Sequence, residues 1–263
     1  HGVMNNYDSN SKPFWYYYRS LIQEIQINQD VTSIGNYAFS SCSKMQSIKI
    51  PEGIISIGDY AFESCRSLQS ISIPISVISI GKYAFYSCLN IQNFTIPEKV
   101  TSIGDYTFYL CTMLQNITIP ISVTSIGDSA FYSCINLQEI IIPEKITLIG
   151  VSAFYSCTKL HSITIPEGIK SIRDSTFYLC SSLQNIIIPN SVESIEDYAF
   201  YSCSSLHSVS IPKFMVSIGN FAFYSCSSLL IIEIPDDIAF IGNYAFYSCS
   251  ILKKIKIPNG VTS

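Results

Sequence analysis

Ten cysteines, from Cys42 to Cys249, stand 23 residues apart without one insertion or deletion. Thiols are the most chemically capable groups in this chain, and three chemistries are open to them. A zinc site needs four convergent ligands. A disulfide needs Cα atoms about 4.4–6.8 Å apart. A nucleophilic thiol needs a base beside it, most often histidine. Only three histidines are present, His1, His161 and His207. The last two share a repeat position but lie two repeats apart, roughly 10 Å at the spacing of paired strands, too far for one metal. No phosphate-cradling loop or zinc motif occurs, and the adjacent carboxylates Asp236 and Asp237 read as a turn. The expectation is a chain that is not an enzyme and uses no metal or cofactor.

The elements that carry these thiols follow from the period. Ten of the eleven prolines keep the same step, each nine residues after a cysteine, from Pro51 to Pro258. A fixed period of this size marks a solenoid in which each repeat is one coil stacked on the last. Equivalent cysteines then lie about 4.8 Å apart, within reach of a disulfide. Pairing would require side chains to turn toward one another and would break the equivalence of the coils. A small buried slot filled by a free thiol is the favoured expectation, and the redox compartment stays open. The chain has 263 residues, 48% of them hydrophobic and 13% charged, with net charge −4. That is ample material for a core that lengthens with each coil, and no electrostatic footprint for nucleic acid or an anionic membrane. No apolar run approaches the roughly 20 residues of a membrane helix. The chain opens on His1 without a signal-peptide pattern.

Aligned on cysteine, the repeats separate into constant and free positions. Isoleucine stands eight residues before every cysteine (Ile34 to Ile241), phenylalanine three before (Phe39 to Phe246), and isoleucine eight after (Ile50 to Ile257). Identity repeated within one chain means an interior slot of recurring shape. Leu-x-x-Ile-x-Ile alternates with period two, a strand with one buried face, and the following proline stops it. A second extended piece such as Val123 to Gly127 leads into a glycine found in eight coils, which suits a turn with positive φ; Arg173 and Glu196 interrupt the series. Asp or Asn follows in eight of ten coils and reads as a cap for the short Tyr-Ala-Phe segment. A calcium ladder would need oxygens from several positions per coil, and one is present.

The full pattern, Cys-x-x-Leu-x-x-Ile-x-Ile-Pro-x-x-Val-x-x-Ile-Gly-x-Tyr-Ala-Phe, resembles the BspA-like (treponemal-type) leucine-rich repeat family from Ile22 to Ser263. The resemblance implies a β-rich repeat solenoid: a curved right-handed coil with a parallel sheet of about eleven strands on its concave face and short strands and turns on the convex side. It also implies a surface protein that adheres to host or matrix proteins. The expected organisation is a single solenoid. Residues 1–30 form a cap and half repeat, with Ile22, Ile25 and Ile27 in strand slots and the aromatic run Lys12 to Arg19 over the core. Residues 31–258 form ten repeats, and residues 259–263 begin another, so the chain is expected to continue or to self-associate at that end.

If the slots are constant, information for a partner lies in the free positions. Outward strand residues are the fifth and seventh after cysteine. The candidate binding face is Glu139, Ile141, Ser162, Thr164, Asn185, Ile187, Ser208, Ser210, Ile231, Glu233, Lys254 and Lys256, with apolar points at Ile141, Ile187 and Ile231 and a basic last strand. The expected partner is a protein or extended peptide, such as a host-surface or matrix protein, with no nucleic acid and no membrane insertion. Arginine and aromatic hot spots are missing from this face, which points to weak or multivalent contacts. Glycosylation acceptors, Asn93 in "NFT" and Asn116 in "NIT", fall on the same sheet. Two tyrosine rows, two and five residues before cysteine, are either an adhesive stripe or a packed outer shell. The leading expectation is a non-enzymatic adhesion module at a cell surface or outside it. An intracellular scaffold in the cytoplasm and a rigid spacer in a longer surface protein are the alternatives.

Overall fold

The computed structural model describes residues 2–8 and 11–261; His1, Thr262 and Ser263 lie outside them. The described residues form a parallel-strand solenoid whose only helical element is a single 3-10 turn, Tyr16–Tyr18. Each coil contributes two strands. The first ladder runs from Glu24–Gln26 through Ser47–Lys49 and Asn116–Thr118 to Ile231–Ile232, ten short strands, and a single bridge joins Ile231 to Lys254 where an eleventh was expected. The second ladder begins with Gly2–Val3 paired to Val31–Ile34 and continues in two-residue strands from Ser56–Ile57 to Phe240–Ile241. Register is the repeat itself: Ile25 pairs with Ile48, Ile48 with Ile71, and Ser125 with Leu148.

Period-two alternation sets the faces of the first ladder. In Ser47–Lys49, Ser70–Ser72 and Asn116–Thr118 the central residue is buried and its neighbours are exposed. The buried residues join the leucines, cysteines and phenylalanines in one continuous core. Phenylalanine rings from Phe39 to Phe246 stack coil on coil with centroids 5.1–5.7 Å apart. From Phe62 to Phe223 each is 0–1% exposed. Trp15 continues this stack past the first coil, 6.0 Å from Phe39, and its Nε1–H donates to the Ala38 carbonyl at 3.0 Å.

The third side of each coil is the segment from the glycine to the cysteine, and here the backbone departs from expectation. No described glycine has positive φ. The left-handed residues are those five and one before the cysteine, such as Tyr37 (φ 54°) and Ser41 (φ 62°), and in every coil they carry side chains. A left-handed L-residue costs on the order of 1 kcal/mol. Here the conformation aims every second N–H at the next coil: Tyr37 donates to the Asp59 carbonyl, Phe39 to Ala61 and Ser41 to Glu63, and the trio recurs between each consecutive pair of coils. These bonds, each contributing about 1 kcal/mol net, and the stacked rings offset the strain.

Glycine is needed for space. A Cβ on Gly81 would lie 2.5 Å from both N and Oδ1 of Asp59 in the coil below, and one on Gly127 would lie 2.5 Å from Asp105 Oδ1. That proximity lets the Asp or Asn side chain accept the backbone N–H of the equivalent residue one coil on: Lys82 N–H to Asp59 Oδ1 at 2.8 Å, Asp128 N–H to Asp105 Oδ1 at 3.0 Å. The side chain expected to cap its own turn therefore joins two coils. The interruptions obey the same rule. Arg173 sits above the coil carrying Val151, which has no carboxylate to accommodate. Glu196 sits above Asp174, whose carboxylate turns to its own Ser175 hydroxyl, and Glu196 Oε2 accepts the Asp174 N–H at 3.0 Å, the bond that Val151 in the coil below has no side-chain acceptor to take. Gly104 lies over Lys82, where a Cβ would meet nothing closer than 3.3 Å. Gly127→Ala is therefore expected to lose about 1–3 kcal/mol through overpacking and Gly104→Ala less than about 1 kcal/mol, compared by denaturant melts of the two variants. Equal losses would show that space is not what the glycine provides.

Candidate functional site: the outer face of the first ladder

All twelve residues of the candidate face are exposed. The first ladder carries them outward because each flanks a buried isoleucine or valine, or in the last coil the partly buried Ile255, so solvent exposure on this face follows from the alternation. Ile141, Ile187 and Ile231 are 84%, 74% and 61% exposed. They alternate with hydroxyl and amide groups that bond along the ladder: Ser208 Oγ donates to Asn185 Oδ1 at 3.2 Å, and Asn116 Nδ2 donates to Asn93 Oδ1 at 2.9 Å. The two glycosylation acceptors are thus paired neighbours on adjacent coils.

Charge on this face is locally balanced. Glu139 Oε1 lies 3.0 Å from His161 Nε2, and Lys256 Nζ lies 3.0 Å from Asp236 Oδ1, all at the surface. Such exposed pairs contribute little to stability. What they do is hold polar groups in register along the ladder. Beside Ile231, Glu233, Lys254 and Lys256 the surface dips into an open groove of about 640 Å³ that Lys213 and Asp236 also line. Apolar and charged anchor points thus meet at the C-terminal end of the candidate face.

The cysteines occupy the small buried slot. From Cys65 to Cys249 each Sγ lies 3.1–3.2 Å from the phenylalanine carbonyl of the coil before it and donates to it. Burial pushes these thiols up, Cys111 and Cys157 to about 12 and the others from Cys65 to Cys226 further above the ordinary range. A thiol so held is a poor nucleophile. The tyrosine rows are stacked face to face, Tyr86 to Tyr247 at 4.4–5.2 Å and Tyr37 to Tyr106 at 4.4–4.5 Å. Neighbouring rings cover one another, which fits the packed shell better than an adhesive stripe of open ring faces.

One feature of the surface escaped sequence reasoning. Arg19 and Arg66 line the same groove at the N-terminal end, together with Tyr16, Tyr17 and four serines. They are two of the three arginines in the chain, and that scarcity was the available signal.

With this geometry in hand, comparison with known proteins is decisive about family. The model of the BspA type leucine rich repeat region matches residues 12–111, 78–182 and 170–263. The chain belongs to the BspA-type leucine-rich repeat family. A leucine-rich repeat protein from Bacteroides ovatus is 30% identical over 92% of this chain and 74% of its own, with a TM-score of 0.67. A leucine rich cell surface protein from Faecalibacterium prausnitzii is 28% identical over 96% of this chain and 82% of its own, at 0.58. A leucine-rich repeat protein from Eubacterium ventriosum is 25% identical over 99% and 91%, at 0.61. No curated protein matches the chain. Membership in this family is consistent with a protein-interaction or surface module. Among the described residues no helix is long and apolar enough to cross a membrane.

Proposed function

We propose that this BspA-type repeat chain is a non-enzymatic protein-binding module of a cell-surface or secreted protein, and that an extended peptide or host or matrix protein lies across the first ladder from about Glu139 to Lys256. The observation that carries the reading is the set of exposed isoleucines on one sheet face, Ile141, Ile187 and Ile231, among short polar groups. Ile141 and Ile187 stand seven residues after their cysteines and Ile231 five after, so large apolar side chains at 61–84% exposure lie on both outward rows of this face. Apolar anchors ringed by polar groups are the anatomy of a protein interface. Display at a surface is supported by the Faecalibacterium relative, described as a cell surface protein.

The test is capture of immobilised host and matrix proteins by the purified chain, presented as a multivalent array so that contacts of tens of micromolar, about 6–7 kcal/mol, are detected. Binding that is lost in Ile187→Asp together with Ile231→Asp, with melting unchanged, supports the reading. No capture by the array, or capture indifferent to both substitutions, removes it. Antibody labelling of intact source cells against permeabilised ones decides the location separately.

Glycosylation at Asn93 and Asn116 belongs to the same proposal. Coils about 4.8 Å apart leave no room for two branched sugars side by side. At most one acceptor is expected to be occupied in any molecule, read as a single mass increment on the intact chain.

A further inference from the structure

The groove at the N-terminal end, about 580 Å³, is formed where the 3-10 turn Tyr16–Tyr18 and the following residues fold against the first two coils. Its lining holds Arg19, Arg66, the hydroxyls of Ser20, Ser41, Ser43 and Ser64, and the rings of Tyr16 and Tyr17, and no carboxylate. In a chain of net charge −4, the lining of this groove itself carries two guanidinium groups and no acid, the carboxylates Asp8 and Glu63 lining the adjoining pocket that shares Tyr16, Arg19 and Ser41. Arg19 is held in place: its Nη1 donates to the Tyr16 carbonyl at 2.6 Å, and its guanidinium lies 3.7 Å over the Tyr16 ring. The Arg66 guanidinium has no hydrogen-bond or ion-pair partner among the described residues, its carbonyl alone accepting from Asn90 Nδ2–H, and the four serine hydroxyls likewise have none. Donors are thus collected at one place with nothing to donate to, one guanidinium fixed and one free.

We infer that this groove binds a tetrahedral oxyanion ester, sulfate or phosphate, carried on a saccharide. Guanidinium presents paired donors that match such oxyanions. The remaining lining selects the carrier. Serine hydroxyls match sugar hydroxyls, the Tyr17 ring is 82% exposed and offers an open face, and no aliphatic side chain lines the groove to seat the apolar residues of a phosphopeptide. The groove is remote in sequence from the Glu139–Lys256 face, so this site and the protein-binding reading stand or fall separately.

Trp15, the only tryptophan, lines the adjoining pocket with Tyr16 and Arg19 and provides a fluorescent reporter. The probes are a sulfated heparin tetrasaccharide, the same tetrasaccharide chemically desulfated, mannose 6-phosphate, and a phosphotyrosine peptide, each titrated into the full chain. The expected result is saturable binding of the sulfated sugar, of mannose 6-phosphate, or of both, which identifies the ester. That binding should weaken about tenfold or more in Arg66→Gln, less in Arg66→Lys, and not at all in Arg173→Gln on a distant coil. It should weaken with rising salt. Because Arg66 is exposed, its variants should melt with the parent, which keeps loss of binding distinct from loss of fold. Equal binding of the desulfated sugar, binding unchanged in Arg66→Gln, binding of the peptide alone, or binding of none of the probes overturns the inference.

Discussion

Between pH 9 and pH 10.5 this protein is expected to unfold. Eight thiols, Cys65 to Cys226, are fully buried, and burial raises each of them, with Cys111 and Cys157 reaching about 12. In the unfolded chain the same thiols ionise near the ordinary value of about 8.5. Above that pH the unfolded state releases protons that the folded state keeps, so stability is fully present below it and falls as the pH rises toward the folded values. Each thiol contributes a slope of about 1.4 kcal/mol per pH unit. Eight together give on the order of 10 kcal/mol over one unit, comparable to the whole stability of a typical domain at about 5–15 kcal/mol. Stability from urea melts at half-unit steps of pH checks this, and replacing Cys111, Cys134 and Cys157 by alanine should flatten the slope in proportion to the thiols removed. A stability that stays level from pH 8 to 10.5 would mean that the thiols titrate alike in both states and are not sealed from water.

The second large effect is in the ring stack. Phe131 is 0% exposed and stands 5.4 Å from both Phe108 and Phe154. Phe131→Ala removes contacts in its own coil and in both neighbours, and is expected to cost about 3–5 kcal/mol. Asn116→Ala, on the exposed face, should stay within about 0.5 kcal/mol of the parent, because the bond it makes to Asn93 is in water. Similar melting of the two variants would contradict the assignment of inward and outward positions.

That assignment was legible in the sequence because alternation in a strand has only two phases, and the isoleucines at Ile48, Ile71 and Ile117 mark which phase is inside. Ladder order was legible too, since an unbroken 23-residue step leaves one register. Glycine was legible as a requirement and misread as to its reason: a recurring glycine signals either positive φ or a close neighbour, and only the coil below Gly81 shows that it is the Asp59 carboxyl. The left-handed residues left no such mark, because Tyr37 and Ser41 carry side chains that usually avoid that conformation. Arg19 and Arg66 were invisible as a pair because the groove they share exists only once the leading segment folds against the coils. For the binding face, the sequence located exposed positions, and the structure adds the bonds that link them.

The three backbone bonds that the left-handed residues set up between consecutive coils all run one way, while the glycine N–H, as from Gly58 to Ile34, and the cysteine thiol donate back to the coil before. Between every pair of coils three N–H groups point toward the C-terminal end and three carbonyls toward the N-terminal end. Aligned peptide dipoles add, as they do along a helix, so this side of the solenoid carries partial negative charge at its first coil. There the Asn36 carbonyl accepts the Tyr7 N–H, the Ala38 carbonyl accepts the Trp15 indole, and Lys12 and Arg19 stand nearby over the Tyr16 ring. This side of the solenoid is therefore electrically polar along the long axis, and its negative end is where the leading segment places N–H donors and two cationic side chains.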